Sequence, residues 1–228
     1  HEVYYPSCEL RSIRHWRRWG LFAENADGVN SIKLNIPIGR ALPACMRARL
    51  QSFLFRWQLK KIAHRYGIPD IVHVHYPAAF RYDDFAFLQE QGAKVVGTEH
   101  WTQVQNKTLP AQNLKNLNDF VSNADKICCV GTSLKKSIIE LTGTKKEIVI
   151  VPNVVSKIFK PVSENHQGFC FISSGRLVPV KQFDTIVEAF LNVFQGNPEV
   201  SLTLAGNGEE HDKIVKILKD RKAENQVH

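Results

Sequence analysis

The chain has 228 residues, of which 43% are hydrophobic and 23% charged, a composition that supports a sizeable core and excludes wholesale disorder. No stretch approaches the roughly 20 uninterrupted apolar residues of a membrane-spanning helix, and the first residues lack a charged-then-apolar leader, so a soluble or peripheral protein is expected. The net charge of +8 is unevenly placed: residues 1–66 hold 12 Lys/Arg against 4 Asp/Glu, whereas residues 67–228 hold 18 of each.

Residues 1–66 show little regular period. "SIKLNIPIG" reads as a strand or extended loop, and "ACMRARLQSFLFRWQLKKIAHRYG" as a helix with Met46, Leu50, Phe53, Leu54 and Trp57 at helical spacing. From Asp70 onward, short apolar runs alternate with helical patterns. "DIVHVHY" (70–76) is a strand, "AFRYDDFAFLQEQG" a helix ending near Gly92, "AKVVGTEH" a strand and "NLKNLNDFVSNA" a helix. "DKICCVG" is a strand, "SLKKSIIELTG" a helix capped by Ser133 and stopped by Gly143, and "KEIVIVPN" a strand. This alternation implies parallel pairing through crossover helices, a doubly wound sheet.

The rhythm breaks in "PNVVSKIFKPVSENHQG" and restarts with a strand at 169–173, a helix at about 181–194, a strand at 200–205 and a helix at about 209–222. Residues 1–157 are therefore expected to form one α/β domain, 158–168 a linker, and 169–228 the opening of a second domain. Two strand-helix units do not close a sheet unaided, so that second domain is expected to be incomplete. The chain starts at His1 and stops at "NQVH", where a new apolar run begins, and so reads as part of a longer protein. The five cysteines (Cys8, Cys45, Cys128, Cys129, Cys170) have no C-x-x-C spacing; Cys128, Cys129 and Cys170 lie in apolar runs and are read as small hydrophobes, and a reducing cytoplasm is expected.

In doubly wound sheets, ligands bind beyond the carboxyl ends of strands, where free N–H groups of helix termini favour anions. Arg176 and Lys181 follow such a strand end, with Lys181 expected in the first helical turn, where the macrodipole opposes a cation. A bound polyanion removes that conflict, and two cations beside a helix N-terminus make a cradle for a diphosphate. His100 lies at the carboxyl end of "AKVVGTE", and Gly206 and Gly208 allow a tight strand-to-helix turn. His73 and His75 are assigned to opposite faces of their strand, with His75 the one lining a cleft.

These segments together carry a resemblance. "SSGRLVPVKQFDTIVEAF" resembles the G-R-L…K-G-x-D…A-F signature of retaining, GT-B-fold glycosyltransferases of family 4, the glycosyl transferases group 1. "IVIVPNVVSKIFKP" is similar to the family's I-P-N-G-V-D…F-x-P linker, and "VSLTLAGNGEEHDKI" to its L-x-I-x-G-x-G-x-E turn. "DIVHVHY", "VVGTEH" and "ADKICCVGTSLKKSI" match its D-I-V-H-x-H, T-x-H and A-D-x-I…S patterns, so the matches run in order over about residues 70–217. Val154, Ser156 and Gln182 depart from the pattern, standing where the family usually has Gly, Asp and Gly.

The resemblance implies a GT-B architecture of two Rossmann-like domains and transfer of a sugar from a nucleotide-diphosphate donor to a glycan or lipid-linked acceptor, with retention of configuration. It implies that Arg176 and Lys181 hold the donor diphosphate and that His100 binds and orients the donor sugar in the catalytic centre. Gly175, Gly206 and Gly208 fall near the donor nucleotide, while Asn153 at the domain junction and His75 are weaker members of the cleft. No cofactor or obligatory metal is implied. The family's Gly-rich loop is expected before His1, and its E-x7-E segment after His228. The same fold without transfer, as in an epimerase or a degenerate relative, is the alternative.

The basic first third combines cations with tryptophans, in "RSIRHWRRWG" and in the helix of 44–66. Two readings stay open: a core-packing helix with a solvated basic face, or peripheral contact of residues 11–66 with an anionic membrane, at the inner face of the cytoplasmic membrane. A basic nucleic-acid-binding protein is a further alternative, but nucleic acid explains neither the alternating sheets nor the Arg176–Lys181 turn and is not expected as a partner.

Overall fold

The computed structural model describes residues 2–10, 19–26, 28–37, 42–160 and 168–228. The chain divides into two compact units, His1–Val155 and Ser156–His228. Of the basic first third, "RSIRHWRR" lies outside the described residues, as does most of the linker stretch 158–168.

In the first unit, β1 (Val3–Leu10), β2 (Gly20–Ala26) and β3 (Val29–Ile36) form a three-stranded sheet in the order β1-β3-β2. β3 runs parallel to β1 and antiparallel to β2. The long helix α1 (Ala44–Tyr66) packs on β1 and ends at Gly67, whose φ of 90° suits glycine. Phe55 and Leu59 are its core residues, and Gln58 donates to the Ser7 and Ile32 carbonyls beneath it. Of the spaced residues Met46, Leu50, Phe53, Leu54 and Trp57, Leu54 packs half-buried against this core, while the centre of the buried face lies at Phe55 and Leu59. Met46, Phe53 and Trp57 are 54%, 67% and 43% exposed.

The second sheet of this unit is the expected parallel one. β4 (Ile71–His75), β5 (Lys94–Glu99), β6 (Lys126–Cys129) and β7 (Ile148–Ile150) lie in that order, all parallel. The connecting helices are α2 (Asp83–Glu90), α3 (Thr102–Gln105), α4 (Ala111–Asn123) and α5 (Thr132–Thr142). The core is filled by Val74, Val95, Ile127 and Ile148 from the strands and by Leu117, Phe120, Leu134 and Ile138 from α4 and α5. Phe120 meets Tyr82 and Phe85 edge-on at 5.2 and 5.7 Å, a geometry that suits ring quadrupoles.

Two local expectations are corrected. The helix expected over 79–92 shrinks to α2, because residues 77–79 make a separate 3₁₀ turn behind the left-handed Tyr76. α5 starts one residue before Ser133 with Gly131 as its cap residue and no side-chain cap, whereas Gly143 ends it in the expected left-handed conformation. Cys129 is buried and Cys128 half-buried as expected of small hydrophobes, but Cys170 is exposed; Cys8 is buried and Cys45 exposed, and all five are free thiols.

In the second unit, β8 (Phe169–Ser174) and β9 (Val200–Ala205) pair in parallel. α6 (Phe183–Phe194) and α7 (His211–Asp220) cover one face through Phe183, Val187, Leu191 and Ile214. The final residues add to this sheet: Leu202 donates to Gln226 O at 3.0 Å and His228 donates back to Leu202 O at 2.9 Å. Val227, in the apolar run at "NQVH", thus makes a parallel bridge with Leu202 of β9. Phe169 and Ile172 on β8 stay exposed.

Candidate active site

In each unit the residues picked out by the sequence fall beyond the carboxyl ends of parallel strands, where converging loops bring backbone groups and side chains together. In the first unit, His75 ends β4 and His100 directly follows β5, its neighbour in the sheet. His75 Nδ1 and His100 Nε2 are 2.9 Å apart, one donating and the other accepting, and the two rings stack at 5.1 Å. Tyr76 packs on the His100 ring at 5.0 Å.

His73 joins this cluster, with its ring centroid 4.3 Å from that of His75 and its Nε2 2.7 Å from Thr98 Oγ1. This corrects the assignment of His73 and His75 to opposite faces: successive side chains alternate, so residues two apart share a face. Burial, together with the neighbouring imidazoles, pushes His73 below the ordinary imidazole value, and burial beside His75 does the same to His100. The charged form is disfavoured at His73 and at His100, and a neutral imidazole hydrogen-bonds through one nitrogen as donor and the other as acceptor.

Beneath His100 lies a residue that the sequence reading missed. Glu99 is fully buried, and its carboxylate accepts N–H bonds from Ala78, His100 and Trp101. Burial raises its pKa while the three N–H groups pull the other way. The signal available was an acid closing an otherwise apolar strand. A cavity of about 870 Å³ in the same unit is lined by Cys8, Phe55, Phe80, Asp84 and Asn116 among others, and reaches neither His75 nor His100.

In the second unit, the loops after β8 and β9 press together. Gly175 donates to Ala205 O and Leu177 to Asn207 O, each at 3.0 Å, and Glu210 N returns to Leu177 O at 3.0 Å. A β-carbon on Gly206 would collide with the Gly175 carbonyl oxygen, and one on Gly208 with that of Leu177. These two glycines are required by the close approach of two backbones, and Gly175 itself has a φ of 154°.

Arg176 projects from this paired loop and Lys181 from a 3₁₀ turn, Pro179–Lys181. Lys181 is thus not in the first turn of α6 as expected. The left-handed Gln182 (φ 53°) separates it from the helix and serves as its cap residue, at the position where the family pattern has glycine. Both cations are exposed, and among the described residues neither has an ion pair or side-chain hydrogen bond. Nearby acids are otherwise engaged: Asp184 and Glu210 both pair with Lys213, at 2.6 and 3.4 Å. Asn153 lies exposed in the segment leaving β7. Among the described residues, no group of three or more His, Cys, Asp or Glu is arranged to hold a metal ion.

Comparison with known proteins identifies the family. The profile described as Glycosyltransferase Family 4 matches residues 12–157, and that described as Glycosyl transferases group 1 matches residues 154–228. The chain belongs to glycosyltransferase family 4. A curated relative, the phosphatidylinositol N-acetylglucosaminyltransferase GPI3 subunit of Saccharomyces cerevisiae, is 24% identical over 168 residues, covering 69% of this chain. The chain spans only 37% of that protein's length.

Solved structures share the fold. The pneumococcal O-GlcNAc transferase GtfA, in complex with UDP and GlcNAc, superposes with a TM-score of 0.59 at 15% identity, over 91% of this chain and 46% of that one. A trehalose-6-phosphate structure from E. coli, bound with UDP-2-fluoro glucose, superposes with a TM-score of 0.61 at 12% identity, over 96% and 62% of the two chains. The architecture is GT-B.

Proposed function

We propose that this chain provides the acceptor-side domain and the start of the donor domain of a glycosyltransferase that moves a sugar from a nucleotide-diphosphate donor to a glycan or lipid-linked acceptor, with retention of configuration. The observation that carries the reading is the pair of exposed, unpartnered cations, Arg176 and Lys181, beside the exposed Gly206 in loops whose glycines let two backbones meet. Free cations beside exposed backbone suit a diphosphate, whose charge grows as the sugar departs; stabilising it there lowers the barrier without a metal ion. His100 is assigned to the donor sugar as a neutral hydrogen-bonding ring, with His75 beside it. Gly175, Gly206 and Gly208 are assigned to the nucleotide, and Asn153 to the cleft wall.

In the intact protein, Arg176→Ala and Lys181→Ala are each expected to cut turnover of a labelled nucleotide-sugar by about 10²–10³-fold, the usual effect of removing one charge-stabilising group. Near-normal turnover in both variants would refute the assignment. The likeness to a phosphatidylinositol-modifying relative supports a glycolipid acceptor, with cell-surface polysaccharide or glycolipid synthesis as the process served.

A second reading concerns where the enzyme works. Met46, Arg49, Phe53, Trp57 and Lys60 are spaced by three or four along α1, a helix without an acidic residue, and all five are exposed. Apolar side chains flanked by cations suit the headgroup boundary of an anionic bilayer. We therefore place the enzyme at the cytoplasmic face of a membrane, held peripherally; among the described residues no helix is long and apolar enough to cross one. Flotation with anionic liposomes should carry the protein upward and weaken with salt. A protein that stays at the bottom at low salt would sink this reading.

A further inference from the structure

The last residue of β5 is a glutamate whose side chain is fully buried. A buried carboxylate is costly unless hydrogen bonds to its charged form replace the lost water. Here three do so: Oε1 accepts from His100 N and Trp101 N, both at 2.9 Å, and Oε2 accepts from Ala78 N at 3.2 Å. The donors belong to the two loops that leave neighbouring parallel strands, β4 and β5. One carboxylate thus ties the chain just after His75 to the chain at His100.

The surroundings hold the same turn from other sides. Asn113 and Asn116 of α4 donate to Ala78 O at 2.9 and 3.3 Å, and Tyr76 N donates to Thr98 O at 3.0 Å. Tyr76, between His75 and the turn, is kept at φ 59°, a left-handed conformation that a non-glycine residue adopts where its surroundings impose it. The histidine ring nitrogens meet at 2.9 Å between these fastened loops.

We infer that Glu99 is a positioning residue: its ionised carboxylate locks the loops after β4 and β5 so that His75 and His100 share one hydrogen bond, which fixes the ring of His100. The inference rests on the reading of His100 as the donor-sugar group. The carboxylate must be ionised, since a protonated or amide side chain in the same place loses an acceptor and turns a donor toward an N–H. Glu99→Gln therefore keeps the volume but puts two donors face to face.

Locking also explains why an imidazole would be paired with an imidazole. A hydrogen bond between two rings needs one nitrogen as donor and one as acceptor, so the pair accommodates one added proton but not two. Its free nitrogens are then presented in a defined sense. The lowered proton affinity of His100 agrees with a ring kept neutral for hydrogen bonding.

The test is ¹⁵N-histidine NMR on the 228-residue chain. The unmodified chain is expected to show a scalar coupling across the His75–His100 hydrogen bond and a single tautomer of His100. In Glu99→Gln the coupling should vanish and the His100 signals should average, while core signals such as those of Val95 and Ile127 stay in place. A folded Glu99→Gln chain with unchanged ring coupling overturns the inference. Should that variant not fold, hydrogen exchange on the unmodified chain decides. Protection of the Ala78, His100 and Trp101 amides, opening together, supports the lock, and exchange at the rate of an open loop overturns it. In the intact enzyme, Glu99→Gln should lose about 10²-fold in turnover, the scale of a modest misplacement of a reacting group. Unchanged turnover in His100→Ala would remove the donor-sugar reading and leave the NMR result standing, so the two failures are distinguishable.

Discussion

Gly206→Ala is the sharpest test of how the loops after β8 and β9 are built. Its new β-carbon would be driven into the Gly175 carbonyl oxygen, a backbone atom that no rotamer change can move. If the loops stay together, the overpacking costs about 1–3 kcal/mol. If they part, the Gly175–Ala205 and Leu177–Asn207 bonds, both 3.0 Å, are lost, at about 1 kcal/mol each. The two routes together bracket the cost at about 1–3 kcal/mol, which in a unit of this size lowers Tm by about 4–24 °C. The assay is thermal unfolding followed by signals of the second unit. A Gly206→Ala chain with unchanged Tm would show that the two loops are not in backbone contact, and the cradle built on them would fall with that result.

Further expectations concern the first unit. Phe120→Ala removes a fully buried ring from the centre of the aromatic cluster and should cost about 3–5 kcal/mol in urea unfolding, the range for large core truncations; a loss below 1 kcal/mol would contradict the packing. The Asp125 carboxylate accepts from Val95 N, Gln89 and Lys94, which pulls its pKa from 3.8 to about 2. Its folded pKa is depressed, so its contribution is present above about pH 4 and disappears as pH falls toward 2. Asp125→Asn should flatten that part of the stability profile, and an unchanged acid limb would show that the three bonds are not made.

Much of this architecture was written in local pattern. Apolar runs such as "IVHVH" and "KICC" alternate with helical periods, and that alone implies parallel strands with crossovers. Gly143 marked a helix end because a left-handed residue is needed there. The Arg176–Lys181 pair stood out because cations at a strand-to-helix turn conflict with the helix terminus unless an anion joins them. Details failed where a neighbour decided them. Lys181 lies in a 3₁₀ turn ahead of α6, since Gln182 takes a left-handed conformation that no residue-type preference announces.

The buried stripe of α1 is the clearest such case. Spacing put Met46, Leu50, Phe53, Leu54 and Trp57 in play, but the helix turns Phe55 and Leu59 toward β1 and leaves Met46, Phe53 and Trp57 in the open. A helix this rich in apolar and basic residues has more than one plausible buried face, and the choice belongs to the sheet it meets. α1 packs one face on the core through Phe55 and Leu59, and its opposite face carries apolar and cationic side chains side by side.

What the sequence determined by itself was the class of fold, the family, and the strand ends at which chemistry could sit, because hydrophobic period and turn residues act over a few neighbours. Only the tertiary structure decided which groups meet there. His75 and His100 lie 25 residues apart and share a hydrogen bond because β4 and β5 are adjacent in the sheet. Glu99 becomes a lock because the two loops beyond those strands offer it three N–H groups at once, and Gly206 and Gly208 are required because the loops after β8 and β9 touch. Such convergence depends on strand order and register, which fix distances between segments far apart in the chain.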